Sequence, residues 1–123
     1  MTLNGDLTSN YAGAGIYINT TAVTLGASDI AITTNGSSSD DDITITGTID
    51  SASGQNYDLT LNAGASGDID LQGAVGGTYL LSYLTIETTG SVTLAAVTTI
   101  GADSNGYGIS IGYASAPSSV TFN

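Results

Sequence analysis

Short apolar segments recur along this chain in a fixed order, and that order restricts the folds open to it. Each repeat has a first segment, a polar stretch, a second segment and a third apolar position. The three series are Ile30, Leu59 and Leu84; Ile43, Ile69 and Val92; and Ile49, Val75 and Val97. In all three series the period stays nearly the same, and it shortens slightly from the first step to the second. Such repeats are typical of a β-solenoid, because one turn buries its apolar face only against the next.

Within each segment, apolar and polar residues alternate with a period of two, as in Ile43-Thr44-Ile45. Gly, Asn, Asp and Ser separate the segments, β-branched residues and Gly dominate, and Ala, Leu, Glu and Lys do not cluster at the three- and four-residue spacing of a helix. We therefore predict strands and no helix. The predicted strands are residues 15–18, 23–25, 30–33, 43–46, 48–50, 59–62, 69–71, 80–88, 92–94, 97–100, 108–112 and 120–122.

These patterns predict an all-β fold, a parallel β-helix (β-solenoid) that is right-handed by default and has about four to five turns of 22–29 residues. Residues 1–123 would form a single β-solenoid domain or an excerpt of a longer solenoid. The phasing of residues 1–30 stays open, because Ile16 and Ile30 are separated by only about half of the repeat period. A β-sandwich, with strands every 8–12 residues or so, is the alternative fold.

The composition excludes several classes of function. The 123 residues include 11 acidic residues and no Lys, Arg, His or Cys, which gives a formal net charge of -11. The chain therefore lacks the residues for a Ser-His-Asp triad, a thiolate nucleophile, a Schiff-base lysine or a P-loop. It also lacks cations for nucleic-acid phosphates and the run of about 18 apolar residues that a spanning helix needs. We expect no enzyme, catalytic residue or cofactor, no nucleic-acid partner and no membrane span.

The acidic residues suggest two kinds of site. Three consecutive aspartates at 40–42 have the oxygen ligands that calcium prefers, although a solvated corner is the alternative. In a stacked register Asp42 lies over Asp68, and Asp29 over Asp58, so like charges about 4.8 Å apart would repel by roughly 0.9 kcal/mol in water. We expect calcium or mild acid to relieve this repulsion and raise stability. The candidate calcium ligands, whose role stays open, are Asp40, Asp41, Asp42 and Asp68.

Outward-facing residues offer further binding surfaces. Exposed tyrosines can stack on sugars or on a neighbouring filament, or they can pack the corners. The seven tyrosines are Tyr11, Tyr17, Tyr57, Tyr79, Tyr83, Tyr107 and Tyr113. Outward threonines raise an ice-binding interpretation, but only Thr44-Ile45-Thr46 offers a clean Thr-x-Thr pair.

The repeats resemble those of large filamentous-haemagglutinin-type bacterial adhesins. The segments that carry the resemblance are Thr-Gly-Thr-Ile-Asp at 46–50, Leu-Thr-Leu-Asn-Ala-Gly at 59–64, Gly-Ala-Val-Gly-Gly-Thr at 73–78 and Leu-Leu-Ser-Tyr-Leu-Thr-Ile at 80–86. The resemblance covers residues 42–100 well and the two ends loosely. It implies a long right-handed parallel β-helix at the bacterial surface or in secreted form, with a role in adhesion, display or fibre formation.

The two ends of a solenoid expose strand edges and apolar core, which lysines or a covering helix would protect. Residues 120–123 are strand-like, as is the start of the chain, and neither protection is evident. Such ends need partners: either a parent chain continues on both sides, or, as we expect, copies associate head to tail through uncapped terminal turns. The expected function is a structural or adhesive extracellular or cell-surface segment of a fibre or adhesin shaft, with host or surface glycans as candidate partners. The alternative is a binding module for carbohydrate, ice or divalent cations on one solenoid face.

Overall fold

The computed structural model describes residues 1–34, 37–102, 104–112, 114 and 116–123, and these residues form thirteen short strands and no helix. The strands are β1 (Thr2–Leu3), β2 (Leu7–Ser9), β3 (Ile16–Ile18), β4 (Ala22–Leu25), β5 (Ile30–Thr34), β6 (Ile43–Ile45), β7 (Thr48–Ser51), β8 (Leu59–Gly64), β9 (Ile69–Leu71), β10 (Leu84–Thr88), β11 (Ser91–Leu94), β12 (Ile109–Ile111) and β13 (Ser119–Phe122).

Three parallel sheets run along the stack. The first has the order β1-β4-β7, the second β2-β5-β8-β10-β12, and the third β3-β6-β9-β11-β13. Isolated parallel bridges from Ile49 to Val75 and from Val75 to Val97 continue the first sheet. The chain visits the sheets in rotation, so each winding lies on the one before it. The predicted parallel β-helix of four to five turns is confirmed, and its handedness stays a prediction.

The three apolar series predicted from the sequence each stack in register from one turn to the next. Ile30, Leu59 and Leu84 form one column, Ile43, Ile69 and Val92 a second, and Ile49, Val75 and Val97 a third. Each step in these columns joins a residue to its counterpart one repeat later in the sequence. The sandwich alternative is therefore wrong, because the repeated segments are parallel neighbours in register.

The structure resolves the phasing of residues 1–30. Ile16 stacks on Ile43 in the third sheet, and Leu7 stacks on Ile32 in the second. The short step between Ile16 and Ile30 thus joined two different sheets. The predicted strands omitted β1 and β2, because Leu7-Thr8-Ser9 has a single apolar residue and shows no alternation.

Two predicted strands are shorter than expected. Residues 97–100 form only isolated bridges at Val97 and Thr99, and β10 begins at Leu84 rather than at residue 80. Leu81 forms a bridge of its own to Thr99 and is fully buried, so it still contributes to the core.

The core is a set of continuous aliphatic columns along the stack axis. Inward positions of β5, β8 and β10 alternate with outward ones, and their side chains are fully buried. This follows from the period of two, which places every second side chain on the same face of a strand. Glycines let the corners approach closely, since a methyl group on Gly73 would overlap the backbone of Gly47 in the preceding turn.

Candidate functional site

Several carboxylates bind backbone N–H groups of the next turn. Asp42 accepts from the N–H of Asp68 at 2.7 Å, and Asp68 in turn accepts from the N–H of Ser91 at 2.6 Å. The same relation joins the following pairs of acceptor and donor: Asp6 with Ala31, Asp50 with Thr78 and Tyr79, and Glu87 with Ala114. These acidic residues link one winding to the next, because a charged acceptor strengthens a hydrogen bond from a backbone N–H group.

Asp41 is a buried carboxylate that is held by backbone donors from two turns. Its Oδ1 accepts from Gly13 at 2.7 Å and from Ala14 at 3.1 Å, and its Oδ2 accepts from Ser38 at 2.9 Å. Burial acts to raise the pKa of Asp41, but these backbone N–H groups and that of Ser37 outweigh it, so the pKa lies below the ordinary value of 3.8. Asp41 is therefore a structural acceptor that joins the first and second turns.

The proposed calcium ligands do not converge on one point. Asp40 is exposed, Asp41 is engaged with backbone donors, and Asp42 and Asp68 each accept an N–H from the adjoining turn. In the described part of the chain, no group of three or more acidic residues is arranged to hold a metal ion. The aspartates at 40–42 are thus built into a corner.

The stacking of Asp29 and Asp58 is different, because these two side chains meet each other. Asp29 and Asp58 immediately precede the register pair Ile30 and Leu59. Burial first, and then the neighbouring Asp29 carboxyl, raise the pKa of Asp58 above its ordinary value of 3.8, while the hydroxyls of Ser82 and Tyr83 partly oppose the shift. The folded chain therefore favours the protonated form of Asp58, mainly because the carboxyl is partly buried and secondly because it meets the Asp29 carboxyl.

We expect Asp58→Asn to stabilise the protein by about 0.5–1 kcal/mol at pH 7, the size of the repulsion between two solvent-screened charges at this separation. A raised folded pKa means that the native state holds the proton more tightly, so stability falls as pH rises from 3.8 through the folded pKa. The extra stability of Asp58→Asn over wild type should vanish at about pH 3, where Asp58 is neutral in both the folded and the unfolded wild-type chain. Urea unfolding across this pH range measures it.

Asp29→Asn is the matched variant. Asn tolerates the positive φ of 57° at position 29, and removing this charge relieves the same repulsion. The two substitutions together should therefore give little more than either one alone. Additive gains, or a loss of stability in Asp58→Asn at pH 7, would contradict the interpretation.

The flanks of the stack present mixed side chains rather than one repeated type. The second sheet has two outward columns, Thr8, Thr33, Asn62 and Glu87, and Ala31, Thr60, Thr85 and Ser110; the third sheet has Tyr17, Thr44, Asp70, Thr93 and Thr121. Exposed tyrosines are dispersed at Tyr11, Tyr17, Tyr79 and Tyr107, Tyr57 packs against the core, and Tyr113 lies outside the described residues. A regular array that matches an ice lattice is not present on these two described flanks.

Exposed apolar side chains gather instead at the C-terminal end of the stack. Strands β12 and β13 are the outermost members of their sheets. Val120 is 41% exposed and Phe122 is 67% exposed, although their register partners Val92 and Leu94 are completely buried. Beside them Tyr107, Ile109, Ser110 and Ile111 line an open depression of about 270 Å³. We call these two strands and the depression the C-terminal end surface.

The N-terminal end of the stack exposes less apolar area. Leu3 and Ile18 are buried although β1 and β3 are outermost strands, while Leu7 and Ile16 are partly buried. The terminal amino group donates to the carbonyl of Ala22 at 2.7 Å and fastens β1 to the stack. The two ends thus differ, and the C-terminal end surface is the stronger candidate for an interface.

Charged side chains are concentrated in the middle turns of the stack, whereas exposed apolar side chains are concentrated at its C-terminal end. Nine of the eleven acidic residues fall between Asp29 and Glu87, and the other two are Asp6 and Asp103. The middle turns therefore carry an acidic girdle, while the end turns are nearly uncharged. Contacts between the flanks of two molecules would bring like charges together, and contacts between their ends would not.

Comparison with family models, with curated proteins and with solved structures gives no match for this chain. The described residues also contain no helix of the length and apolarity needed to cross a bilayer.

The role of the acidic residues as backbone acceptors was not predicted from the sequence. A signal was present, since Asp6, Asp42 and Asp68 each immediately precede a strand that begins with an aliphatic residue. A carboxylate at the start of a strand lies beside the corner of the next turn, where backbone N–H groups lack ladder partners. The donors became identifiable only when the corners were in register.

Proposed function

We propose that this chain is a structural, adhesive extracellular protein, a β-solenoid segment of a surface fibre or adhesin shaft that associates end to end. Its role would be mechanical, providing length, stiffness and a surface for display. Like the filamentous-haemagglutinin-type adhesins that its repeats resemble, it would act at the surface of a bacterial cell or after secretion, where glycans are candidate partners.

The observation that carries the proposal is the opposite distribution of apolar exposure and charge. The core columns continue into the exposed side chains of Val120 and Phe122, whereas the flanks carry the acidic girdle. Head-to-tail contacts of this kind do not close on themselves and therefore produce filaments. The acidic flanks would keep such filaments apart from one another.

The alternative binding module has less support. A flat-faced binder needs like residues on successive turns, but each outward column of the second and third sheets holds at most two threonines in succession and otherwise mixes Ala, Ser, Asn, Asp, Glu and Tyr. The depression at the C-terminal end belongs to the same surface that end-to-end association would cover.

Sedimentation velocity and negative-stain microscopy over a range of concentrations test the proposal. Particles should lengthen at constant width, in increments of roughly 24 Å for five stacked levels. Phe122→Asp should raise the concentration needed for elongation about tenfold or more, because it buries an unpaired charge in the contact. Thr60→Asp adds the same charge to a flank and should leave the lengths unchanged. A chain that stays monomeric at every concentration would end the proposal.

A further inference from the structure

The inward columns of the third sheet have matching chemistry at their two ends. One column consists of Ile16, Ile43, Ile69, Val92 and Val120, and the next of Ile18, Ile45, Leu71, Leu94 and Phe122. The second sheet has one such column of five levels, Leu7, Ile32, Leu61, Ile86 and Ile111, and a second inward column, Ile30, Leu59, Leu84 and Ile109, that begins only in the second turn. Every internal contact in these columns joins an aliphatic residue to an aliphatic or aromatic one. A contact of Val120 with Ile16, which is only partly buried, would have the same character.

We propose that the C-terminal end surface binds the N-terminal turn of a second copy of this chain in the register that joins successive turns within one molecule. In this register the partly buried Ile16 and Leu7 of the second copy lie on Val120 and Ile111. This inference rests on the proposed fibre function and adds to it the identity and register of the partner.

Parallel edge strands meet in this arrangement. Strands β12 and β13 are outermost at one end of the second and third sheets, and β2 and β3 are outermost at the other end. Strand β2 of the second copy continues the second sheet and β3 continues the third, so both sheets extend across the contact with unchanged parallel pairing. The backbone groups at these edges gain the same ladder partners that internal strands have.

The acidic residues favour this register as well. Inside the molecule Asp42 and Asp68 occupy one stacked position, which Ser91 and Ser119 continue towards the C-terminal end. At the contact Ser119 lies under Gly15 of the second copy, so this position brings no two carboxylates together. The only acidic side chain in residues 1–28 is Asp6, and residues 104–123 contain none to oppose it.

Paired cysteines provide the test, because the chain contains no cysteine of its own. Tyr17 and Thr121 are exposed outward residues that occupy the same column four levels apart. Within one molecule they are separated by roughly 19 Å, too far for a disulfide. Across the proposed contact their Cα atoms would be about 4.8 Å apart, within the range that disulfides span.

Mild oxidation of the double variant Tyr17→Cys with Thr121→Cys should give a ladder of covalent oligomers on non-reducing gels. The control pairs Tyr17→Cys with Ser119→Cys, which places the two Cα atoms about 8 Å apart and should give a far weaker ladder. Circular dichroism checks that both variants keep their β-structure, as expected for substitutions of exposed residues.

The outcomes separate this inference from the proposed function. A ladder in the first variant and not in the second supports the register. Equal ladders in both, or monomer in both while the wild-type particles still lengthen, overturn the register and leave the fibre function standing. Monomer in both together with wild-type particles that do not lengthen overturns the inference and the proposed function together.

Discussion

Leu84→Ala should lower the free energy of unfolding by about 2–5 kcal/mol, the usual loss when a fully buried leucine leaves a cavity. Leu84 is completely buried, with Leu59 on one side and Ile109 on the other in the same column. The neighbouring strands are fixed by ladder hydrogen bonds at the sheet spacing, so they cannot collapse into the space. Equilibrium urea unfolding, measured at a concentration where the chain is monomeric, gives the loss.

Ile109→Ala is the matched control, because Ile109 is the register partner of Leu84 and is 41% exposed. Its truncation should cost less than half as much, since much of the side chain already faces solvent. In a stack each turn contacts only its neighbours, so the difference reports directly on how continuous the core is at that level. Equal losses in the two variants would show that the column is not closed around Leu84.

The parallel register could be predicted from the sequence because three independent apolar series keep the same order. A period of two fixes which side chains point inward, and a repeated order fixes which segments lie on one another. Leu59 and Leu84 were placed together for this reason. Strand β2 could not be predicted in this way, because Leu7 stands alone in its segment and gains its partners only from Ile32 in the next turn.

The roles of the aspartates were less accessible to sequence analysis. A composition of 11 acidic residues and no basic ones suggested repulsion and a need for cations. In the structure most of these carboxylates accept hydrogen bonds from backbone N–H groups instead. The backbone thus takes the place of the basic side chains that this chain lacks. At Asp29 and Asp58 the two carboxyl groups meet each other, and burial together with the Asp29 carboxyl raises the pKa of Asp58.

Asp41→Asn should lower the melting temperature at pH 7 by several degrees, because it replaces a carboxylate that accepts hydrogen bonds from Gly13, Ala14 and Ser38. The carboxamide turns an NH₂ group towards some of these donors and leaves them without an acceptor. Asp40→Asn is the matched control, since Asp40 is exposed and lies next in the chain, and we expect it to change the melting temperature little.

The pH dependence distinguishes a lost charge from a general packing defect at Asp41. Its folded pKa lies below 3.8, so the unfolded chain takes up the proton first and stability is lost as pH falls from 3.8 through the folded pKa. The difference between wild type and Asp41→Asn should therefore be constant above about pH 5 and should narrow below 3.8. Asp58 acts with the opposite sign, so its own contribution to stability grows as pH falls from 7 towards 3.8. Urea unfolding at each pH measures the difference in the free energy of unfolding between wild type and Asp41→Asn. If that difference stays constant down to about pH 2.5, Asp41 does not stabilise the fold through its charge.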